Sequence, residues 1–157
     1  MALAQFIHES NGLRAKEEYA CRISKCPDRY RNRGCEKPGK YYYGRGYIQL
    51  TWCYNYRDAG RGLRLGDALL NDPDLVASNE QYANRDTAFW FWKEKVRKGK
   101  YGPDVLAGKF GFSTNVINGG ECTRRYVERA KKRFQIYQNV YTTFGLTGQP
   151  DERGCYN

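Results

Sequence analysis

Two glutamates nine residues apart, Glu9 and Glu18, are the side chains in this sequence best suited to paired acid and base work. Two carboxyl groups facing one another across a pocket can divide those roles when their surroundings differ. On one continuous helix, nine residues make about 2.5 turns, which sets the two side chains on opposite faces and about 13.5 Å apart along the axis. Asn11-Gly12 breaks such a helix, because a left-handed cap there lets the chain fold back and bring Glu18 across from Glu9. Glu9 closes an apolar helix, where desolvation favours the protonated form that a general acid needs, whereas Glu18 lies in a polar segment and suits a general base. His8 is the only histidine. A metal site would need further ligands, and the cysteines are better used as disulfides, so neither a metal nor another cofactor is expected. A lone histidine is ordinarily a hydrogen-bonded structural residue, and His8 is read as support rather than catalyst.

The elements that must position these residues follow from periodicity and punctuation. The start, Met1 to His8, is helical in propensity and has neither a basic region nor a small-residue cleavage site, so it is not a signal peptide. From Cys21 to Lys40 the chain carries three Cys, two Pro and seven Lys or Arg with no hydrophobic periodicity. A loop this long is entropically costly to order, and Cys26 with Cys35 is the nearest pair that could close it. Tyr41 to Thr51 is β-prone and aromatic, predicting a small strand and turn. Trp52 to Ala59 predicts a short helix ended by Gly60, and Asp67 to Val76 short helical turns. Ser78 with Gln81 matches a capping box opening a helix through Tyr82, Thr87, Ala88, Phe89, Trp90 and Trp92, expected at the buried centre. Phe112 to Ile117 predicts a shorter helix, and Tyr126, Ala130, Phe134, Tyr137 and Tyr141 mark a long amphipathic one stopped by Gly145. The expected class is mainly α with one minor β element.

The chain has 157 residues, which suits a single domain over 1–157. No run approaches the roughly 20 apolar residues of a bilayer span. Six Cys without paired metal-type spacing point to disulfides and an oxidising, extracellular compartment. The 27 Lys and Arg against 17 Asp and Glu give a formal charge of +10, which favours anionic partners but constrains their sign rather than the chemistry. The basic clusters, Arg22 to Lys40, Lys93 to Lys100 and Arg124 to Arg133, accompany no nucleic-acid motif, so no specific nucleic-acid partner is expected.

A more specific signal is Tyr42-Tyr43-Gly44-Arg45-Gly46-Tyr47-Ile48-Gln49-Leu50-Thr51-Trp52-Cys53-Tyr54-Asn55-Tyr56. Ala4-Gln5-Phe6-Ile7-His8-Glu9-Ser10 precedes it, and Asn71-Asp72-Pro73-Asp74-Leu75-Val76, Thr87-Ala88-Phe89-Trp90-Phe91-Trp92 and Asn115-Val116-Ile117-Asn118-Gly119-Gly120-Glu121-Cys122 follow. Together these motifs, in order over nearly the whole chain, closely resemble the plant-type (family nineteen) chitinases. The resemblance implies a lysozyme-like α+β fold with a sugar cleft, and endo-acting hydrolysis of the β-1,4 bonds of chitin with inversion.

By the same resemblance Glu9 is the general acid. Glu18, preferred over Glu17 because short-loop members place the base nine residues on, is the general base. Thr51 matches the residue that holds the attacking water. Gln49, Tyr54, Asn55 and Asn118 match sugar-binding positions, with His8 and Tyr43 grouped beside them, while Arg45, Glu121 and Arg133 support the site. Arg129 is an alternative to Arg133, because the segment after Gly120 is shorter than in plant members. The resemblance also implies the pairings Cys26–Cys35 and Cys122–Cys155. Cys21 with Cys53 is then the remaining pair, one of the 15 connectivities open to six cysteines. Family members carry further helices before the segment with which this chain begins, so the chain is expected to lack N-terminal helices. The expected partner is chitin or a chitooligosaccharide, with fungal or bacterial wall as a further one, and the expected state is a monomer with no membrane partner. A peptidoglycan hydrolase and a non-catalytic chitin-binding protein are the competing readings.

Overall fold

A computed structural model describes residues 1–31, 34–78 and 85–157. The chain divides into two compact units, one made of Met1–His8 and Trp92–Asn157, the other of Glu9–Phe91. Helices dominate both.

In the first unit, helix α1 (Ala2–Glu9) supplies Ala4 to a core with Phe110 and Tyr137. Phe110 opens α7 and Tyr137 lies on α8, whose ranges are given below; their rings stack with centroids 4.6 Å apart. Around them pack Met1, Phe134, Ile136, Val140 and Tyr141.

The second unit is built on α2 (Cys53–Gly62), which packs against α3 (Ala68–Asn71) and α5 (Thr87–Phe91), with α4 (Leu75–Ser78) between them in sequence. Leu50, Tyr56, Ala59, Leu69, Val76 and Ala88 are buried there. A π-helical segment, Trp92–Arg97, continues the chain back into the first unit, followed by α6 (Gly102–Leu106), α7 (Phe110–Asn118), a 3-10 turn (Gly119–Cys122) and α8 (Val127–Thr143). Among the described residues, no helix is long and apolar enough to cross a membrane.

The break after α1 forms as the sequence predicts. Asn11 and Gly12 take left-handed φ values of 49° and 73°, and Ser10 Oγ accepts a hydrogen bond from the Leu13 amide.

Three local expectations are corrected. Tyr41 to Thr51 forms no strand: only isolated bridges occur, Glu17 with Arg45 and Arg45 with Leu50, because the segment turns on itself so tightly that the Arg45 and Leu50 amides bond to each other's carbonyls. Helix α2 runs past Gly60 to Gly62. A Cβ at Gly60 would lie 2.6 Å from the Gly66 carbonyl oxygen, so this glycine serves close backbone approach and not helix termination. Ser78 ends α4, and its hydroxyl donates to the Asp74 carbonyl. Its proposed box partner Gln81, with Tyr82, lies outside the described residues. The disulfides are Cys21–Cys26, Cys35–Cys53 and Cys122–Cys155, so the expected Cys26–Cys35 and Cys21–Cys53 are replaced by Cys21–Cys26 and Cys35–Cys53. The turn at Glu18–Lys25 brings Cys26 back onto Cys21 through successive amide-to-carbonyl bonds, and Cys53 at the start of α2 is left to Cys35.

Candidate active site

Each unit holds a distinct group of the expected site residues. In the second unit, Glu18 is pinned by backbone and side chain together. Its amide bonds to the Gly44 carbonyl at 2.8 Å. Its carboxylate accepts hydrogen bonds from the Tyr30 hydroxyl (3.1 Å) and the Gly44 amide (3.4 Å), and Arg29 Nη1 stands 3.9 Å away. The Glu18 side chain is 24% exposed, so these donors hold it while part of it faces solvent. A Cβ at Gly44 would lie 2.8 Å from Gln49 Oε1 and 3.2 Å from Gln49 Cβ, so a side chain here would displace Gln49. The neighbouring Glu17 is not available in the same way: its carboxylate takes the Tyr43 hydroxyl at 2.8 Å, and Tyr43 in turn accepts from Lys25 Nζ at 3.3 Å. Glu9 is the half-buried last residue of α1.

Gln49, Thr51, Tyr54 and Asn55 sit on one short stretch that is tied to itself. Thr51 Oγ1 donates to the Gln49 carbonyl at 2.6 Å, Asn55 Nδ2 donates to the Thr51 carbonyl at 2.9 Å, and Gln49 Nε2 donates to the Gly46 carbonyl at 3.0 Å. Gln49 and Trp52 both have positive φ, 51° and 73°. Such values are uncommon for residues with a side chain and cluster where a loop is over-determined by its surroundings. Trp52 stacks on Tyr54 with planes 10° apart and takes Tyr30 edge-on at 5.5 Å. Tyr30 therefore joins Glu18 to the aromatic pair. Neither Tyr30 nor Trp52 was among the expected site residues; a lone aromatic in the otherwise polar loop from Cys21 to Lys40 was the available signal for Tyr30.

Beneath this stretch lies Arg45, 1% exposed. Its guanidinium stacks 3.7 Å from the Tyr43 ring centroid, donates to Tyr56 Oη and the Tyr41 carbonyl, and meets Asp74 at 2.6 Å. Tyr56 is fully buried, and burial pushes its phenol well above the ordinary value despite the opposing effect of Arg45. Arg45 thus braces Tyr41, Tyr43, Tyr56 and Asp74. Tyr43, expected to bind substrate, is corrected to the same role: it is 1% exposed, and its ring and hydroxyl are occupied by Arg45, Glu17 and Lys25.

In the first unit, Arg133 and Glu121 form a buried pair, Nε to Oε2 at 2.6 Å, with the side chains 1% and 6% exposed. Arg133 Nη1 also donates to Gln5 Oε1 (2.8 Å), and Gln5 Nε2 donates to Ser113 and Thr114 on α7. Asn118 Nδ2 donates to the other Glu121 oxygen at 3.0 Å. Arg129 is exposed and lies over the Tyr126 ring, so Arg133 and not Arg129 meets Glu121. His8 Nε2 is 4.0 Å from Glu121 Oε2, too long for a hydrogen bond. Burial, with Arg133, pushes the His8 pKa down to about 4 against the opposing pull of Glu121, so the imidazole is neutral at pH 7. Among the described residues no group of three His, Cys, Asp or Glu side chains could hold a metal ion.

This order of segments matches the family model described as Chitinase class I over residues 9–153. The chain belongs to that family, glycoside hydrolase family 19. Among its relatives, Endochitinase At2g43620 of Arabidopsis thaliana is 42% identical over 152 residues, covering 92% of this chain and 47% of that protein. Inactive chitinase-like protein 1 of Hevea brasiliensis is 40% identical over 136 residues, covering 76% of this chain and 42% of its own. The chain thus spans about half the length of the curated relatives it matches. The class IV family 19 chitinase of Zea mays superposes with a TM-score of 0.76 at 28% identity, over 96% of this chain and 69% of that one. Mainly helical and similar to these structures, the family 19 chain has the lysozyme-like fold.

Proposed function

We propose that residues 1–157 act as a single secreted catalytic domain, an endo-acting chitinase that cleaves β-1,4 N-acetylglucosamine linkages with inversion. The observation that carries this reading is Glu18: a partly open carboxylate held by donors only, Tyr30, the Gly44 amide and nearby Arg29, beside the stacked Trp52 and Tyr54. A carboxylate so held is fixed in orientation yet free to take a proton from water. Inversion requires carboxyl groups roughly 6.5–9.5 Å apart, leaving room for that water.

In this scheme Glu9 gives its proton to the glycosidic oxygen as the bond to C1 breaks, Glu18 removes a proton from the water, and the water oxygen bonds to C1 from the opposite face. Thr51 already spends its hydroxyl proton on the Gln49 carbonyl, so Oγ1 can serve as an acceptor that orients the water. Trp52 and Tyr54 offer apolar ring faces to the sugars, while Gln49 and Asn55 offer amides for hydroxyl and N-acetyl groups. In the first unit Arg133 and Asn118 together hold Glu121. Three disulfides suit an oxidising compartment.

Some relatives are named as inactive, so rate measurements are the deciding test. Glu9→Gln and Glu18→Gln should each reduce hydrolysis of chitin hexamer by about 100-fold or more while sparing binding, given the usual contribution of a general acid or base. An unchanged rate in either variant would remove that residue from the mechanism. Cleavage of purified peptidoglycan with none of chitin oligomers would replace the substrate.

A further inference from the structure

Residues on either side of Cys35, among them Tyr30, Arg31, Lys37 and Tyr42, line an open pocket of about 290 Å³ that the mechanism above does not use. Cys26 and Cys35, at either end of the loop's first stretch, are bridged to Cys21 and Cys53. The Tyr42 hydroxyl accepts from the Lys37 amide and donates to the Leu70 carbonyl. Pro27 and Pro38 further restrict the walls.

The lining is strongly cationic, with Arg29, Arg31, Lys37 and Lys40 against a single acid, Glu36. Two of the cations have carboxylate neighbours, Arg29 with Glu18 at 3.9 Å and Lys40 with Asp72 at 3.8 Å. Arg31 and Lys37 form no ion pair among the described residues. Two cations without an ion pair among the described residues, in the wall of one pocket, can receive an anion, since a guanidinium fork and an ammonium together match the oxygens of a carboxylate or phosphate. The cavity also adjoins the proposed base, because Arg29 and Tyr30, which line it, are the residues that contact Glu18.

We propose that this pocket binds oxyanion substituents, carboxylate or phosphate, carried on the amino-sugar polymer held beside Glu18. The inference rests on the reading of Glu18 as facing a glycan. It gives part of the +10 charge a specific task, to favour acidic over neutral forms of the polymer.

The test compares three soluble polymers with one backbone: neutral glycol chitin, carboxymethyl chitin and phosphorylated chitin. Binding is measured at equilibrium in a Glu9→Gln background, with hydrolysis of glycol chitin by the otherwise native chain recorded in parallel. Two exposed ion pairs predict about five-fold tighter binding of at least one anionic polymer at low salt, fading at high salt. Arg31→Gln/Lys37→Gln should bring that preference to within about two-fold while leaving glycol chitin binding unchanged, whereas the charge-matched Lys98→Gln/Lys100→Gln should retain it. The arm that binds more tightly identifies the oxyanion. Equal loss in both double variants, or no preference in the parent, would overturn the pocket and leave the hydrolase reading intact. Selective anion binding without any hydrolysis would uphold the pocket and reject the hydrolase reading.

Discussion

Replacing Glu121 by Gln removes one charge from the most deeply buried ion pair of the first unit while preserving its shape. The pair has N and O 2.6 Å apart and side chains 1% and 6% exposed. At an effective dielectric of 20, two unit charges at that distance attract by roughly 6 kcal/mol, most of which is offset by the loss of hydration on folding. Breaking the pair from one side differs from removing it. In Glu121→Gln the buried Arg133 guanidinium loses its 2.6 Å contact with a carboxylate while Gln5 Oε1 stays at 2.8 Å. The expected cost is about 3–5 kcal/mol, which for a chain of this size lowers the melting temperature by roughly 10 °C or more. Glu121→Gln/Arg133→Met removes both charges and should lie only about 1–3 kcal/mol below the parent, the residue of the loss being the orphaned Gln5 and Asn118 hydrogen bonds. Thermal and urea unfolding of the parent, both single variants and the double variant at pH 7 measure this directly. A melting temperature within about 2 °C of the parent for Glu121→Gln, or a double variant less stable than the single ones, would refute the claim that breaking this pair from one side costs more than removing it.

The His8 pKa lies below its unfolded value, about 4 against 6.5, so the unfolded chain binds more protons between those limits and stability falls as pH drops through them. The loss should approach about 3 kcal/mol at its limit, and His8→Gln should flatten the stability profile over that window; an unchanged slope in urea titrations at successive pH values would contradict it. Tyr30→Phe removes one donor to Glu18 and should lower kcat by roughly 3- to 30-fold with KM nearly constant, the kinetic pattern of a positioning residue; a rise in KM alone would instead make Tyr30 a sugar contact. Peptide mapping without reduction should recover Cys21–Cys26, Cys35–Cys53 and Cys122–Cys155, and a Cys26–Cys35 peptide would contradict the structure.

The helices were legible where punctuation and periodicity agreed. The stop at Asn11-Gly12 and the long repeat from Tyr126 to Tyr141 depend only on local backbone preference and an apolar stripe, and both survive into the structure. The errors arose where a distant contact decides. Gly60 reads locally as a helix terminator, but the Gly66 carbonyl that approaches it is the reason for its lack of a side chain. Tyr41 to Thr51 has the composition of a strand, but Arg45 draws it around a buried guanidinium and leaves isolated bridges in place of a ladder. The candidate site shows the same division. Residue types and the Asn11-Gly12 break picked out Glu18, whereas the Gln49-to-Asn55 stretch entered only through the resemblance to the family. Tyr30 could not be found from spacing, because its link to Glu18 exists only once the loop folds over Trp52. Tyr43 was misassigned because sequence carries no measure of burial.

The central claim, hydrolysis of a β-1,4 amino-sugar chain through paired carboxyl groups with water between them, is tested most directly by the anomeric form of the first product. Chitin hexamer incubated briefly with the protein and resolved by anomer-sensitive chromatography should yield new reducing ends in the α form, which drift to the equilibrium mixture only afterwards. New ends released in the β form would show retention and contradict the assignment of Glu18 as a base acting through water; an uncut hexamer would contradict the hydrolase reading itself.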